Sequence, residues 1–225
     1  MIRNFDFQVT INAAMTVDGK IATAKRDSKI SSDRDLRRVH RLRSSVDAII
    51  VGISTVIADN PMLSARISKN ELENPVRVII DSTARIPLNS KLLKSACKIQ
   101  TIVAVTKRAP EYKISKIEKA GAIVIIAGTS SVDLREVFSF LKRIGIKKIL
   151  VEGGGELNWS FFSLRMVNRL IVTLAPIIVG GRKATTLVEG DGYAKISKAI
   201  KMKLTKIRKH NNGEVVLFYK VEYLK

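Results

Sequence analysis

Short apolar runs of strand length recur along the chain, separated by stretches in which apolar residues return every three or four positions. Phe7 to Met15, Val46 to Val51, Val76 to Ile80, Ile99 to Val105, Ala122 to Ile126, Lys148 to Val151 and Arg169 to Ala175 read as strands. Several are unbroken rather than alternating, as strands covered on both faces require. The intervening pattern predicts helices over Ser32 to Arg43, opened by Ser and Asp in a capping turn, over Ser131 to Ile144, and over Gly155 to Val167. The character changes near the C-terminus. Met202 to Lys209 and Glu214 to Glu222, split by Asn211-Asn212-Gly213, predict an antiparallel hairpin at the sheet edge, with Asn-Gly supplying the positive φ angles of the turn. The expected fold is α/β, with a mostly parallel central sheet, helices on both faces and this hairpin, in one domain over residues 1–225.

A chain of 225 residues with 46% hydrophobic content can bury a sizeable core. No apolar run approaches the roughly 20 residues of a membrane span, and the N-terminus lacks the layout of a secretory signal. The expected location is the cytoplasm, with no membrane partner. The lone cysteine, Cys97, is expected to be a buried or partly buried small apolar residue, and His40 and His210 stand too far apart to suggest a metal site. A formal charge of +20 raises the question of nucleic acid. The basic residues are spread along the chain and aromatics amount to 5%, without aromatic-basic interleaving, so specific nucleic-acid binding is not expected.

The candidate chemistry lies just after the strands, where open α/β sheets bind ligands. Val151 leads through Glu152 into Gly153-Gly154-Gly155-Glu156 and a helical pattern, an arrangement that suits a pyrophosphate, because glycines admit close approach and the helix N-terminus offers unpaired N–H groups. A tight strand-to-helix turn without a ligand is the alternative. Three more segments sit in comparable places. Asn12 to Lys20 ends in an Asp-Gly turn; Val51 to Pro61 brings a glycine, hydroxyls and Asp59; Asp81-Ser82-Thr83-Ala84-Arg85 would suit a nucleotide's 2′-phosphate or a capped surface loop. No Ser-His-Asp or Cys-His arrangement can be assembled. Phosphate-cradling glycines with almost no histidine suit hydride transfer, in which the protein binds, orients and excludes water.

Asn12 to Thr23, Val51-Gly52-x-x-Thr55-Val56-x-x-Asp59-Asn60-Pro61-x-Leu63-x-x-Arg66, Pro75 to Ser82, Val151 to Gly154 and Ala175 to Gly181 occur in an order and spacing that resemble the riboflavin-pathway reductase family. The resemblance covers nearly the whole chain. It implies a dihydrofolate reductase-like fold, NADPH as cofactor with NADH possible, a homodimer, and reduction of the ribosyl C1′ of a phosphorylated ribosylaminopyrimidine to a ribitylamino group. It further implies that Thr55 and Asp59 contact the cofactor, that Ser82 lies near its adenosine phosphate, and that Gly153, Gly154, Gly155 and Glu156 wrap its pyrophosphate. On the substrate side it implies Asn12, Ser28, Arg43, Leu63, Arg66 and Glu152. Glu152 is also the candidate to position the sugar and steady an iminium, with Asp18 a weaker candidate for orienting the sugar.

The bifunctional bacterial relatives add a zinc deaminase, whose His-x-Glu and Pro-Cys-x-x-Cys motifs are missing from this sequence. Where those relatives carry a lysine, Asn12 offers an amide that can accept from an exocyclic amine. The expected substrate is therefore the undeaminated diaminopyrimidine. The alternatives are the deaminated uracil form, a pteridine reductase sharing the fold, or, in a different class, a basic nucleic-acid-binding protein.

Overall fold

The structure is a computed structural model that describes residues 7–65 and 74–223. The chain divides into two compact units, one of residues up to Phe7 with Arg38–Leu150, the other of Gln8–Arg37 with Val151–Lys225.

The first unit carries β3 (Ala48–Gly52), β4 (Val76–Ile80), β5 (Thr101–Val105) and β6 (Ile123–Ile126), parallel to one another, with β7 (Lys148–Val151) next to β3. Four of the five residues of β3 and all of β5 are buried, which explains their unbroken apolar sequence. The core packs Val51, Ile79 and Val103 against Val56 of α2 (Ile53–Asp59), Leu92 of α3 (Lys91–Lys94) and Ile117 of α4 (Glu111–Lys119). In α5 (Leu134–Arg143), Leu134, Val137, Phe138 and Leu141 form the buried stripe, and the Asp133 carboxylate caps it by accepting from the Arg135 N–H. Asp47 joins the start of β7 to its neighbour, accepting from the N–H groups of Lys147 and Lys148 at 2.8 and 2.7 Å. Cys97 is exposed, against expectation: it follows α3 at the surface and rests beside Gly121, where a Cβ would come within 2.5 Å of its sulfur.

The second unit carries β1 (Gln8–Thr16), β8 (Arg169–Ala175), β10 (Lys201–Lys209) and β11 (Val215–Glu222) in the order β10-β11-β8-β1. β1 and β8 are parallel, and the C-terminal hairpin is antiparallel and lies along β8 through β11. Its turn is closed by the Gly213 N–H donating to the His210 carbonyl, with Gly213 at φ +85°. The register shifts between Leu204 and Lys206, leaving Thr205 to donate its hydroxyl to the Phe218 carbonyl. That shift keeps Met202, Leu204 and Ile207 opposite Val221, Tyr219 and Leu217 on one face, and Lys201, Lys203, Lys206 and Arg208 on the other. Without it the apolar and basic stripes would swap sides halfway along the strand. A short pair, β2 (Lys20–Ala22) with β9 (Thr185–Thr186), lies apart from the sheet.

Helix α1 (Asp33–Arg43) starts in the second unit and ends in the first. The Ser32 hydroxyl accepts from the Asp35 N–H at 3.3 Å, while the buried Glu214 carboxylate receives the Ser32 N–H and hydroxyl at 3.0 and 2.6 Å. Among the described residues no helix is long and apolar enough to cross a membrane.

Candidate functional site

In the second unit, β7 ends at Val151, Glu152 is half-buried, and Gly153 turns the chain at φ +85°, a backbone that side chains disfavour. The Gly153–Gly154 peptide is cis, and Gly154 is the N-cap of α6 (Gly155–Ser163), with no side chain capping the first turn. A helix N-terminus left without a side-chain cap can offer its N–H groups to an anion. Gly155 is needed for a different reason: a Cβ there would meet the Thr186 carbonyl oxygen and the Glu189 Cγ, each at 2.7 Å. The segment from Thr186 to Tyr193 thus lies against the first turns of α6. Glu189 N–H donates to the Gly155 carbonyl, Gly190 sits on the Trp159 ring, and Trp159 meets Tyr193 edge to face. Sequence reasoning missed Asn158. It is fully buried, its Nδ2 donates to the Leu187 carbonyl at 2.8 Å, and its Oδ1, beside Gly153, has no partner among the described residues. Its only signal in the sequence is an amide one turn into an otherwise apolar helix face.

Asp18, the weaker candidate for orienting the sugar, bridges two segments of this unit. Its carboxylate accepts from the Thr16 hydroxyl at 2.5 Å and from the Val179 and Gly180 N–H groups at 3.1 and 2.7 Å. The Thr16 bond, then those from Gly180 and Val179, hold its pKa down at about 2. The side chain therefore clamps the β1–β2 turn to the Ile177–Gly181 segment. Asn12 is buried in the middle of β1, opposite Ile171, and Ser28 is half-buried in the turn before α1.

In the first unit, Thr55 and Asp59 lie four residues apart on α2, on one helix face, with Thr55 half-buried and Asp59 exposed. Beyond β4, the buried Asp81 shapes the loop holding Ser82. Its Oδ2 accepts from the Ile86 N–H at 2.8 Å, and Arg85 Nε lies 3.6 Å from its Oδ1. Burial raises the Asp81 pKa, opposed by these bonds and by Arg85. The Ser82 carbonyl receives the Thr106 N–H and hydroxyl at 3.1 and 2.8 Å, tying the ends of β4 and β5 together. Ser82 and Thr83 are half-buried there, with Arg85, Lys107 and Arg108 exposed around them. Arg43 donates to the Ser64 carbonyl at 3.3 Å, next to Leu63. Leu63 itself is 1% exposed, at φ +51°, within the core of this unit. Arg66 lies outside the described residues. Among the described residues no group of His, Cys, Asp and Glu could hold a metal ion.

The structure thus keeps the glycine run, Glu152 and Asn12 in one unit, and Thr55, Asp59, Ser82 and Arg43 in the other. Comparison with known proteins adds identity to this geometry. The chain is 44% identical over 216 residues, 96% of each protein, to the 2,5-diamino-6-ribosylamino-4(3H)-pyrimidinone 5′-phosphate reductase of Methanothermobacter thermautotrophicus. It is 38% identical over 201 residues to the protein of the same name in Aquifex aeolicus, covering 87% of this chain and 88% of that one. Among solved structures it is similar to RibD of Acinetobacter baumannii, with a TM-score of 0.80 at 24% identity, over 96% of this chain and 58% of that one. A dihydrofolate reductase of Enterococcus faecalis shares the fold more distantly, with a TM-score of 0.52 at 12% identity over 96% of this chain and 98% of that one. The RibD C-terminal domain matches residues 8–216, across both units, and the chain belongs to that family.

Proposed function

We propose that the protein is the reductase of riboflavin biosynthesis that converts 2,5-diamino-6-ribosylamino-4(3H)-pyrimidinone 5′-phosphate to its ribitylamino product with NADPH. The observation that carries this reading is the glycine run. A strand passes through Glu152 into a helix whose first turn has no side-chain cap, and Gly155 fits only because it lacks a Cβ. Relatives of that name at 44% and 38% identity support it. The family match across both units supports reading them as one reductase domain.

The residues fit a dinucleotide phosphate. Gly153, Gly154, Gly155 and Glu156 would hold the pyrophosphate, Thr55 and Asp59 would contact the nucleotide, and Ser82 with Thr83 would meet its 2′-phosphate beside Arg85 and Lys107. The cofactor, when bound, supplies the hydride. On the substrate, the C1′–O4′ bond breaks as O4′ takes a proton, leaving an iminium between C1′ and the exocyclic nitrogen. Hydride addition at C1′ then gives the ribitylamine. Glu152 would steady the positive charge of that iminium, and Asn12 would accept from an exocyclic amine. Ser28, Arg43, Leu63 and Arg66 complete the substrate set, with the two guanidinium groups suited to the phosphate monoester. Leu63, packed in the core, would act through the segment it anchors.

The reading places the enzyme in the cytoplasm and makes it a homodimer. The apolar stripe of β10, with Met202, Leu204 and Ile207 each 43–49% exposed, supports the second point, and light scattering on the eluting peak tests it. The substrate assignment is tested by comparing turnover of the diaminopyrimidine and uracil ribotides with each reduced nicotinamide cofactor. Preference for the diaminopyrimidine and for NADPH supports the reading; preference for the uracil form moves it to the alternative substrate.

A further inference from the structure

Arg77 is the second residue of β4 and is completely buried. A buried guanidinium normally needs an anion, yet among the described residues every acceptor around it is neutral. Its Nε and Nη2 both donate to the Thr101 hydroxyl, at 3.0 and 2.6 Å, and Nη2 also reaches the Leu92 and Ile99 carbonyls at 3.1 and 3.0 Å. Nη1 donates to the Ser95 hydroxyl at 2.8 Å and to the Met62 carbonyl at 3.2 Å. Burial lowers its pKa to about 10, which still leaves it charged at neutral pH. An arginine kept charged among neutral acceptors is a costly way to fill a core position, and apolar residues of similar volume would do so more cheaply. What the fork does that they could not is hold main-chain carbonyls outside the regular elements, those of Ile99 and Met62.

The Met62 carbonyl belongs to the segment Asn60–Ala65, which is fastened at several other points. Asn60 Oδ1 accepts from the Lys91 N–H at 2.9 Å, and the Ala65 N–H donates to Asn74 Oδ1 at 2.9 Å. His40 Nδ1 lies 3.1 Å from the Ser64 carbonyl, to which Arg43 also donates. A carbonyl can only accept, so the His40 proton sits on Nδ1. Two residues of the segment, Asn60 and Leu63, have positive φ at 42° and 51°, a conformation that persists only where its surroundings hold it.

We propose that Arg77 is a positioning residue for the substrate: through the Met62 carbonyl, and together with His40 on the Ser64 carbonyl, it fixes the Asn60–Ala65 segment, which carries Leu63 and receives Arg43 at the Ser64 carbonyl. This rests on the proposed reductase function, in which Leu63 and Arg43 belong to the substrate side. A lysine at position 77 keeps the charge but reaches fewer acceptors, so the segment loosens while β4 stays charged and solvent-free.

The test is steady-state kinetics with the diaminopyrimidine ribotide, beside NADPH binding measured separately, for Arg77→Lys and His40→Ala. His40 is half-buried, so its variant remains informative if Arg77→Lys does not fold. The expected result is a KM for the ribotide raised about ten-fold in Arg77→Lys and less in His40→Ala, with kcat within about two-fold and NADPH affinity unchanged. A merely structural arginine would lower the melting temperature and leave that split absent. Wild-type KM in His40→Ala, or a KM and NADPH Kd that rise together in Arg77→Lys, overturns the inference while leaving the reductase reading intact. Wild-type protein that fails to turn over the ribotide removes the reading, and the inference falls with it.

Discussion

Replacing Gly155 by alanine adds one methyl group at the first position of α6, and the structure sets its cost. The new Cβ would stand 2.7 Å from the Thr186 carbonyl oxygen, 2.7 Å from Glu189 Cγ and 3.0 Å from Glu189 Cδ. Glu189 is a side chain that can swing away; the Thr186 carbonyl is main chain, held by the β2–β9 pairing of Lys20 with Thr186. Overpacking of this kind costs about 1–3 kcal/mol. Alanine is the better helix former by up to about 1 kcal/mol, although less at a terminus. The clash should win, leaving a net destabilisation of about 1–2 kcal/mol, which in a chain of this size lowers the melting temperature by roughly 2–8 °C. Urea unfolding with an unchanged m-value would assign the loss to the native state. Cofactor affinity should fall as well, because the segment displaced from α6 flanks the proposed pyrophosphate site. A variant that melts at or above the wild-type temperature and binds NADPH normally would refute the claim that Gly155 is required by close approach.

Glu152→Gln should lower kcat about 10²-fold with little change in ribotide KM, because the lost interaction is with charge that develops during the reaction; full activity would remove the role. Asp18 has a folded pKa of about 2, below its ordinary value of 3.8, so its contribution is fully present above about pH 4 and disappears as pH falls through 2. Asp18→Asn should accordingly speed hydrogen exchange at Val179 and Gly180 at neutral pH, and exchange equal to wild type would show that the clamp is dispensable. Gly190→Ala, at φ +83° with its Cβ 2.0 Å from Trp159 Cδ1, should destabilise by about 2–4 kcal/mol and alter Trp159 fluorescence; an unperturbed spectrum would mean the ring has room to move.

The fold was most legible where burial is two-sided. Val76 to Ile80, Lys148 to Val151 and Arg169 to Ala175 are strands with the boundaries the apolar runs indicate, since most positions of each strand are buried. Less legible were elements that bury little. Helix α4 buries only Ile117 beneath a charged sequence, and the β2–β9 pair is too short to show a period. The predicted helix over Gly155 to Val167 ends at Ser163, because Arg165 turns to φ +57° and the Met166 N–H donates back to the Phe161 carbonyl. The hairpin's alternation breaks at Thr205, and only the observed bulge explains why it resumes in the opposite phase. At the candidate site, residues carried by turns and strand ends could be named from motif spacing. What spacing could not reveal is the work done by hydrogen bonds between distant segments. Asp18 spends its lone pairs on residues 179 and 180, Leu63 lies in the core, and Asn158 and Arg77 find acceptors as distant in sequence as Leu187 and Met62.

The most direct measurement is turnover of 2,5-diamino-6-ribosylamino-4(3H)-pyrimidinone 5′-phosphate by the purified protein, followed as loss of reduced nicotinamide and by product mass. The expected result is NADPH-dependent formation of a product two hydrogens heavier, faster with this substrate than with its deaminated uracil counterpart. No consumption of NADPH with either ribotide, under conditions in which the protein is folded, would contradict it.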